Sequence, residues 1–165
     1  MSSPESVPGE SRQQLLDHLT FQLSRQLSTR TVLFHATIAE RMRLSQGDHK
    51  AMDLIYEAEQ EGRFLTAGQL AEATGLTTGA ITGVIDRLEK AQVLRRVPDG
   101  QDRRKIVIQP THARDEELWA LLSPIAQQTV QLTSRYSDAE LAVIADYIGR
   151  LVEMTRLETQ RLREG

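Results

Sequence analysis

Cysteine is absent from this chain. That excludes structural disulfides, thiolate zinc sites and cysteine-based redox switches. Aromatic residues make up only 4% of the sequence, so the core has to come from aliphatic side chains, which suits packed helices. No run of about 18 apolar residues occurs, and no basic-then-apolar segment opens the chain, which predicts neither a membrane span nor a secretory signal. The default expectation is a soluble cytoplasmic protein. Nucleophile–base motifs, Gly-rich phosphate loops and metal-ligand spacings are missing too, so no catalytic residue, cofactor or enzymatic activity is expected. The four histidines (His18, His35, His49 and His112) read as unclustered, without i, i+4 pairing or His/Asp grouping, and no metal site is expected. Proline (5) and glycine (10) are sparse and fall mostly where segments join.

What is present is a 165-residue sequence, 39% hydrophobic and 26% charged, enough for one domain with a real core or two lobes sharing one. The net charge of −3 hides an uneven distribution. Between Asp86 and Lys105, seven basic residues face four acidic ones, a local surplus of three positive charges on an otherwise acidic body. Such a chain would approach a polyanion by one face only.

Residues 1–10, rich in Ser, Pro, Glu and Gly, read as a disordered tail. A long helical pattern follows over 11–44: Leu15, Leu16, Leu19, Leu23 and Leu27 recur at three and four residues, then Phe34, Ile38 and Met42. Ser28 to Thr31 is the expected place for a bend. A helix of about 30 residues spans about 45 Å, more than one small domain can cover, so part of it is expected to pack on a second chain. Ser45 to Asp48 starts another helix, with Met52, Ile55, Tyr56 and Ala58 inward and Gly62 as its C-terminal cap. Phe64 and Leu65 suggest a very short strand.

Thr66 and Gln69 form a capping box that opens a short helix; Gly75 turns the chain; Thr77 or Thr78 caps a longer helix. This is the helix-turn-helix layout. In the second helix Ile81, Val84, Ile85 and Leu88 make one buried stripe. The opposite face offers Thr78, Gly79, Thr82, Gly83 and Asp86. A helical glycine costs about 1 kcal/mol relative to alanine. Two on one face suit close approach of the backbone to a groove floor, although tolerance of glycine near a helix start explains the pattern equally well. Two period-two runs, Val93 to Pro98 and Arg104 to Gln109, flank a bend at 99–103 and predict a hairpin. Asp102 and Arg104, two apart on one strand, face the same way, so the carboxylate can hold the guanidinium extended for phosphates or a narrow minor groove. Beyond Thr111 a helix is expected from His112 to Thr133, kinked or broken at Pro124. A second capping box at Ser137 and Glu140 opens a last helix to about Arg163, with Leu141, Ile144, Ile148, Leu151 and Val152 on one face. Terminal helices with such stripes suit a dimer interface.

The stretch from Leu65 to Thr111 resembles the MarR (multiple antibiotic resistance regulator) family of bacterial transcription factors, most specifically in DRLEKA (Asp86 to Ala91), in Arg95 and Arg96, and in the D-x-R wing motif of Asp102, Arg103 and Arg104. The flanking helices fit the family plan from Ser11 onward. The resemblance implies a mainly α fold with a small β-wing: a winged helix-turn-helix over 45–111 between dimerisation helices at 11–44 and 112–165. It also implies a homodimer on a pseudo-palindromic double-stranded DNA operator. Thr77, Thr78, Gly79 and Thr82 then match groove-facing positions. Arg87, Arg95 and Arg96 lie near the DNA backbone, with Asp102, Arg103 and Arg104 in the wing. Gly83 stands where many members carry a basic side chain, and Gln92 replaces the usual glycine after the helix. Family members are often released from DNA by a small aromatic effector. Candidates to line such a pocket are Phe34, His35, Ile38, His49, Tyr56, His112 and Trp119. The function expected is a ligand-responsive regulator, a repressor. The alternative is a winged-helix module that meets an acidic protein without specific DNA binding.

Overall fold

The computed structural model describes residues 11–164. The chain divides into two compact units, one ending at Leu121 and the other beginning at Leu122.

The first unit opens with helix α1 (Arg12–Asp17), capped by Ser11 and Gln14 in a reciprocal box. The chain then passes through a π-helical turn (His18–Leu23) into α2 (Ser24–Arg41). The bend expected at Ser28 to Thr31 does not occur. That segment holds no glycine or proline, and helical serine and threonine can donate back to the preceding turn, as Thr37 does to the Leu33 carbonyl at 3.0 Å. The irregularity lies earlier: the Ser24 N–H donates to the Leu19 carbonyl five residues back, and the Ser24 hydroxyl donates to the same oxygen at 2.7 Å. Helix α3 (Gln46–Gln60) starts on Ser45, whose hydroxyl accepts from the Asp48 N–H.

Strand β1 (Leu65–Thr66) leads into α4 (Ala67–Thr74), and the predicted Thr66–Gln69 box is made in both directions. Phe64 lies outside the strand. Gly75, at φ +74°, turns the chain toward α5 (Thr78–Lys90), and Thr77 rather than Thr78 is its N-cap. Strands β2 (Leu94–Pro98) and β3 (Ile106–Pro110) form the hairpin. The antiparallel sheet has the order β1-β3-β2, with Leu65 opposite Ile108 and Arg96 opposite Ile108 on the other side. β3 is thus the central strand that fastens the wing to the helix-turn-helix.

Four helices end on the same device. After α2, α3, α4 and α5 the chain turns through a left-handed residue, and a pair of backbone bonds closes the last turn. Glycine fills this position twice, at Gly62 and Gly75, but Arg43 and Gln92 hold φ +56° and +60°. At Gln92 the N–H donates to the Glu89 carbonyl and the following Val93 N–H to Leu88, so the missing glycine changes the strain and not the cap.

The core of this unit is aliphatic: Met42, Met52, Ile55, Leu70, Ile81, Ile85, Leu88, Leu94 and Ile108 are fully buried. It binds α3, α4, α5 and the sheet into one body. Helix α6 (Asp115–Thr133) begins in this unit and runs on through Pro124 without a break. A proline costs the helix one hydrogen bond, and the turns on either side continue without it.

The second unit holds the remainder of α6 and α7 (Asp138–Glu164). Ser137 and Glu140 form the expected capping box. No residue of α6 is buried. On α7, Val143, Val152 and Leu162 are each more than 60% exposed. Ion pairs one turn apart, Asp146–Arg150, Glu153–Arg156 and Glu158–Arg161, lie along α7.

Candidate nucleic-acid interface

Helix α5 is held by its apolar stripe: Ile81, Val84, Ile85 and Leu88 are buried. Its other face, with Thr78, Gly79, Thr82 and Asp86, is exposed. A methyl group added at Gly79 would meet nothing within 4 Å, and one at Gly83 would meet only Arg87 Nη1, at 3.5 Å. Packing inside the chain therefore requires neither glycine. Thr77 and Thr82 spend hydrogen bonds on the helix itself. The Thr77 hydroxyl accepts from the Ala80 N–H at 3.3 Å, and the Thr82 hydroxyl donates to the Thr78 carbonyl at 2.8 Å.

The basic residues divide into two groups. Arg87 reaches back across α5 to Asp48 on α3, with Nη2 donating to Oδ1 at 2.7 Å and Nε to Oδ2 at 3.0 Å. The Asp48 side chain is 6% exposed and the Arg87 side chain 58%. Burial pushes the Asp48 carboxyl up, but Arg87 and the Ser45 hydroxyl more than offset this, so it lies below its ordinary value of 3.8. Arg96 on β2 is held by Asp86 at 2.6 Å and by Glu89, both on α5. Glu89 also accepts the Arg96 backbone N–H at 3.1 Å. Arg87 and Arg96, both expected near DNA phosphates, are thus braces that orient the helix against α3 and the wing.

The second group is at the wing. Arg95 makes only a long contact of 3.5 Å to Gln109, and Arg103 is exposed at the bend. Asp99 builds the tip by accepting the N–H groups of Gln101 and Asp102 at 2.7 and 2.8 Å, bonds that hold its carboxyl below the usual range. Asp102 accepts both the Arg104 N–H and Nε, at 3.2 and 3.1 Å, and Arg104 lowers its pKa in turn. The Arg104 side chain remains 91% exposed. The aspartate-held arginine expected from the spacing is therefore formed, with its guanidinium in solvent.

The candidate pocket residues fall into two separate groups. Phe34, His35 and His49 meet edge to face, with centroids 5.9 and 5.4 Å apart, and Ile38 is buried nearby on α2. Tyr56 and His112 pack edge to face at 5.8 Å. Here the Tyr56 hydroxyl donates to Asp115 at 2.7 Å, and His112 bridges Asp115 at 2.8 Å and Glu59 at 3.2 Å. Burial and the Asp115 carboxylate raise the Tyr56 pKa, and the Asp115 contact, with Glu59 behind it, raises that of His112. Trp119 joins neither ring pair and is 62% exposed.

The MarR family model matches residues 44–106, the segment from the start of α3 to the first residue of β3. The chain is 38% identical over 149 residues to the HTH-type transcriptional regulator YcgE of Bacillus subtilis, covering 90% of this chain and 94% of that one. The chain belongs to the MarR family. As a MarR-family protein it is a transcriptional regulator with a winged helix-turn-helix, and its relatives carry no enzyme names. Solved structures share the fold. A mutant MepR from a multidrug resistant S. aureus clinical isolate superposes with a TM-score of 0.66 at 20% identity, over 81% of this chain and 94% of that one. The S. aureus MepR–DNA complex does so with a TM-score of 0.52 at 20% identity, over 81% and 97%. No helix among the described residues is long and apolar enough to cross a membrane.

Proposed function

We propose that this MarR-family regulator acts as a homodimer on a pseudo-palindromic operator. Residues 45–111 of each subunit contact DNA, while 11–44 and 112–165 join the subunits. The exposed Thr78–Gly79–Thr82 face of α5 enters the major groove, and Arg104 enters the flanking minor groove. The observation that carries this reading is Arg104 itself. A guanidinium 91% exposed, yet oriented by Asp102 on a hairpin tied to the recognition helix, has less freedom to lose on docking. A narrow minor groove concentrates negative potential and suits this group. Arg95 and Arg103, not engaged by carboxylates, supply phosphate contacts, while Arg87 and Arg96 support α5 from behind. The solved MepR–DNA complex shows that a protein of this fold binds DNA.

Dimerisation is supported by the terminal helices. Phe21 and Leu27 in the N-terminal segment and Val143, Val152 and Leu162 on α7 are all more than 60% exposed in one chain. That much large apolar surface is costly in water unless a second copy covers it. A regulator of this build represses where its operator overlaps a promoter, and a small aromatic effector at the Tyr56–His112 group would act on the joint between α3 and α6.

The test is operator binding by Arg104→Ala at fixed salt. The substitution should cost about 1–3 kcal/mol while leaving the melting temperature unchanged. Affinity for random duplex should fall steeply with salt, because phosphate contacts release counterions. A flat salt dependence, with Arg104→Ala binding as wild type, would favour an acidic protein partner instead.

A further inference from the structure

We propose that His35, His49 and Asp53 form a binding site for a divalent transition-metal ion of the zinc class. Metal binding here stands apart from the DNA-binding reading and does not depend on it.

The expectation that the histidines lack His/Asp grouping overlooks the His49–Asp53 spacing. His49 and Asp53 are one helical turn apart on α3, and α2 brings His35 to the same place. One ligand atom from each of the three residues lies within 4.8 Å of the other two. Asp53 Oδ2 is 3.0 Å from His49 Nδ1 and 3.3 Å from His35 Nδ1. Two atoms each about 2.0–2.1 Å from a tetrahedral ion lie about 3.3 Å apart, so these two edges already have the spacing that zinc imposes. The third edge lies within 4.8 Å.

The polar groups are poorly served without an ion. Two imidazole nitrogens converge on one carboxylate oxygen. His35 Nδ1 is shut off from solvent and makes no hydrogen bond. The whole His49 residue is 3% exposed. Buried polar atoms of this kind normally find partners. A cation among the three residues would engage the lone pairs of both Nδ1 atoms and of Oδ2 together. The set of two imidazoles and one carboxylate, with no thiolate, matches Zn2+ and its borderline neighbours better than Mg2+ or Ca2+. Asp53 and His35 are each 43% exposed, which leaves the outer side open to water or an added ligand as a fourth donor. Phe34, edge-on to His35, walls one side.

The location gives such an ion leverage. It would cross-link α2 to α3 beside Asp48, the residue next to His49 and the anchor of Arg87 on α5.

The test uses untagged full-length protein, stripped with chelator and titrated with Co2+ while its visible d–d absorption is recorded; Zn2+ then competes. One Co2+ per chain should give a visible band that Zn2+ abolishes. His35→Ala, Asp53→Asn and His49→Gln should each weaken binding by at least about tenfold. Circular dichroism establishes that each variant is folded, and His35→Ala and Asp53→Asn change half-exposed residues, so they decide the matter even if His49→Gln unfolds. The proposal is overturned if wild-type protein develops no band in excess Co2+, or if both half-exposed variants bind as tightly as wild type. DNA affinity enters neither readout, so failure of the operator reading would leave the outcome intact.

Discussion

Asp102 and Asp48 do opposite work on their arginines. Asp102 holds an arginine out, whereas Asp48 holds one in. Removing Arg87 leaves the buried Asp48 carboxylate without its partner. Breaking a fully buried pair costs about 3–5 kcal/mol, and Arg87→Ala should cost less, about 1–3 kcal/mol, because its guanidinium is 58% exposed. The pH dependence follows from the depressed value of Asp48. A carboxyl whose folded pKa lies below its unfolded one contributes stability above the unfolded value, near 3.8, and loses it as the pH falls through the folded one. In Arg87→Ala, burial is opposed by Ser45 alone, so the carboxyl rises from its wild-type value. Urea unfolding at about pH 7 should therefore show the full deficit of Arg87→Ala, and at about pH 3 the gap to wild type should shrink. An equal gap at both would mean that Asp48 is not the group concerned.

At the scale of elements, α5 shows a backbone arranged for something outside the chain. Gly83 lies mid-helix, where an added Cβ would meet only Arg87 Nη1 at an ordinary contact distance of 3.5 Å, so Gly83→Ala should stabilise the protein by up to about 1 kcal/mol while weakening operator binding. Thermal melts and DNA titration on the same preparation check both signs. A variant that gains stability and keeps its affinity would make the glycine incidental. The helix-turn-helix and its wing were legible in the sequence because their signals are local. The Thr66–Gln69 box, the Ile81-to-Leu88 stripe and the Asp102–Arg104 spacing each involve residues within one or two turns. The braces were not legible. Asp48 and Arg87 are 39 residues apart and Tyr56 and Asp115 are 59 apart, and no periodicity announces such meetings. The family resemblance placed Arg87 and Arg96 near the DNA backbone and gave no sign of the carboxylates that engage both within the fold. The His49–Asp53 spacing was local and legible, and the expectation of no His/Asp grouping passed over it, while only the fold brings His35 to the same place. The π turn was invisible for another reason: leucines recurring at three and four residues look the same whether or not one turn is widened.

For the whole molecule, the question is what covers the apolar faces of the long helices. Val152 is 61% exposed on α7, and a charge there should cost a lone chain no more than about 0.5 kcal/mol. Within a dimer the same charge would be buried unpaired. Val152→Asp should therefore sediment as a monomer at concentrations where wild type is a dimer, with operator affinity falling further than in Arg104→Ala. Sedimentation velocity across a concentration series decides, and an unchanged profile would place the subunit contact elsewhere. The widened turn at His18–Leu23 has its own bearing on that contact. Its six residues turn the chain about as far as five would at the α pitch, so the turn takes up one extra residue without changing the facing of what precedes it. Closing it to an α turn at full length would swing Leu15 and Leu16 by about 100° to a new quarter of the compass, although nothing in the winged domain had changed. A chain shortened there by one residue should therefore recognise its twin as its parent does, and a full-length chain with the turn closed should recognise it poorly, making this one turn a phase setting for self-recognition.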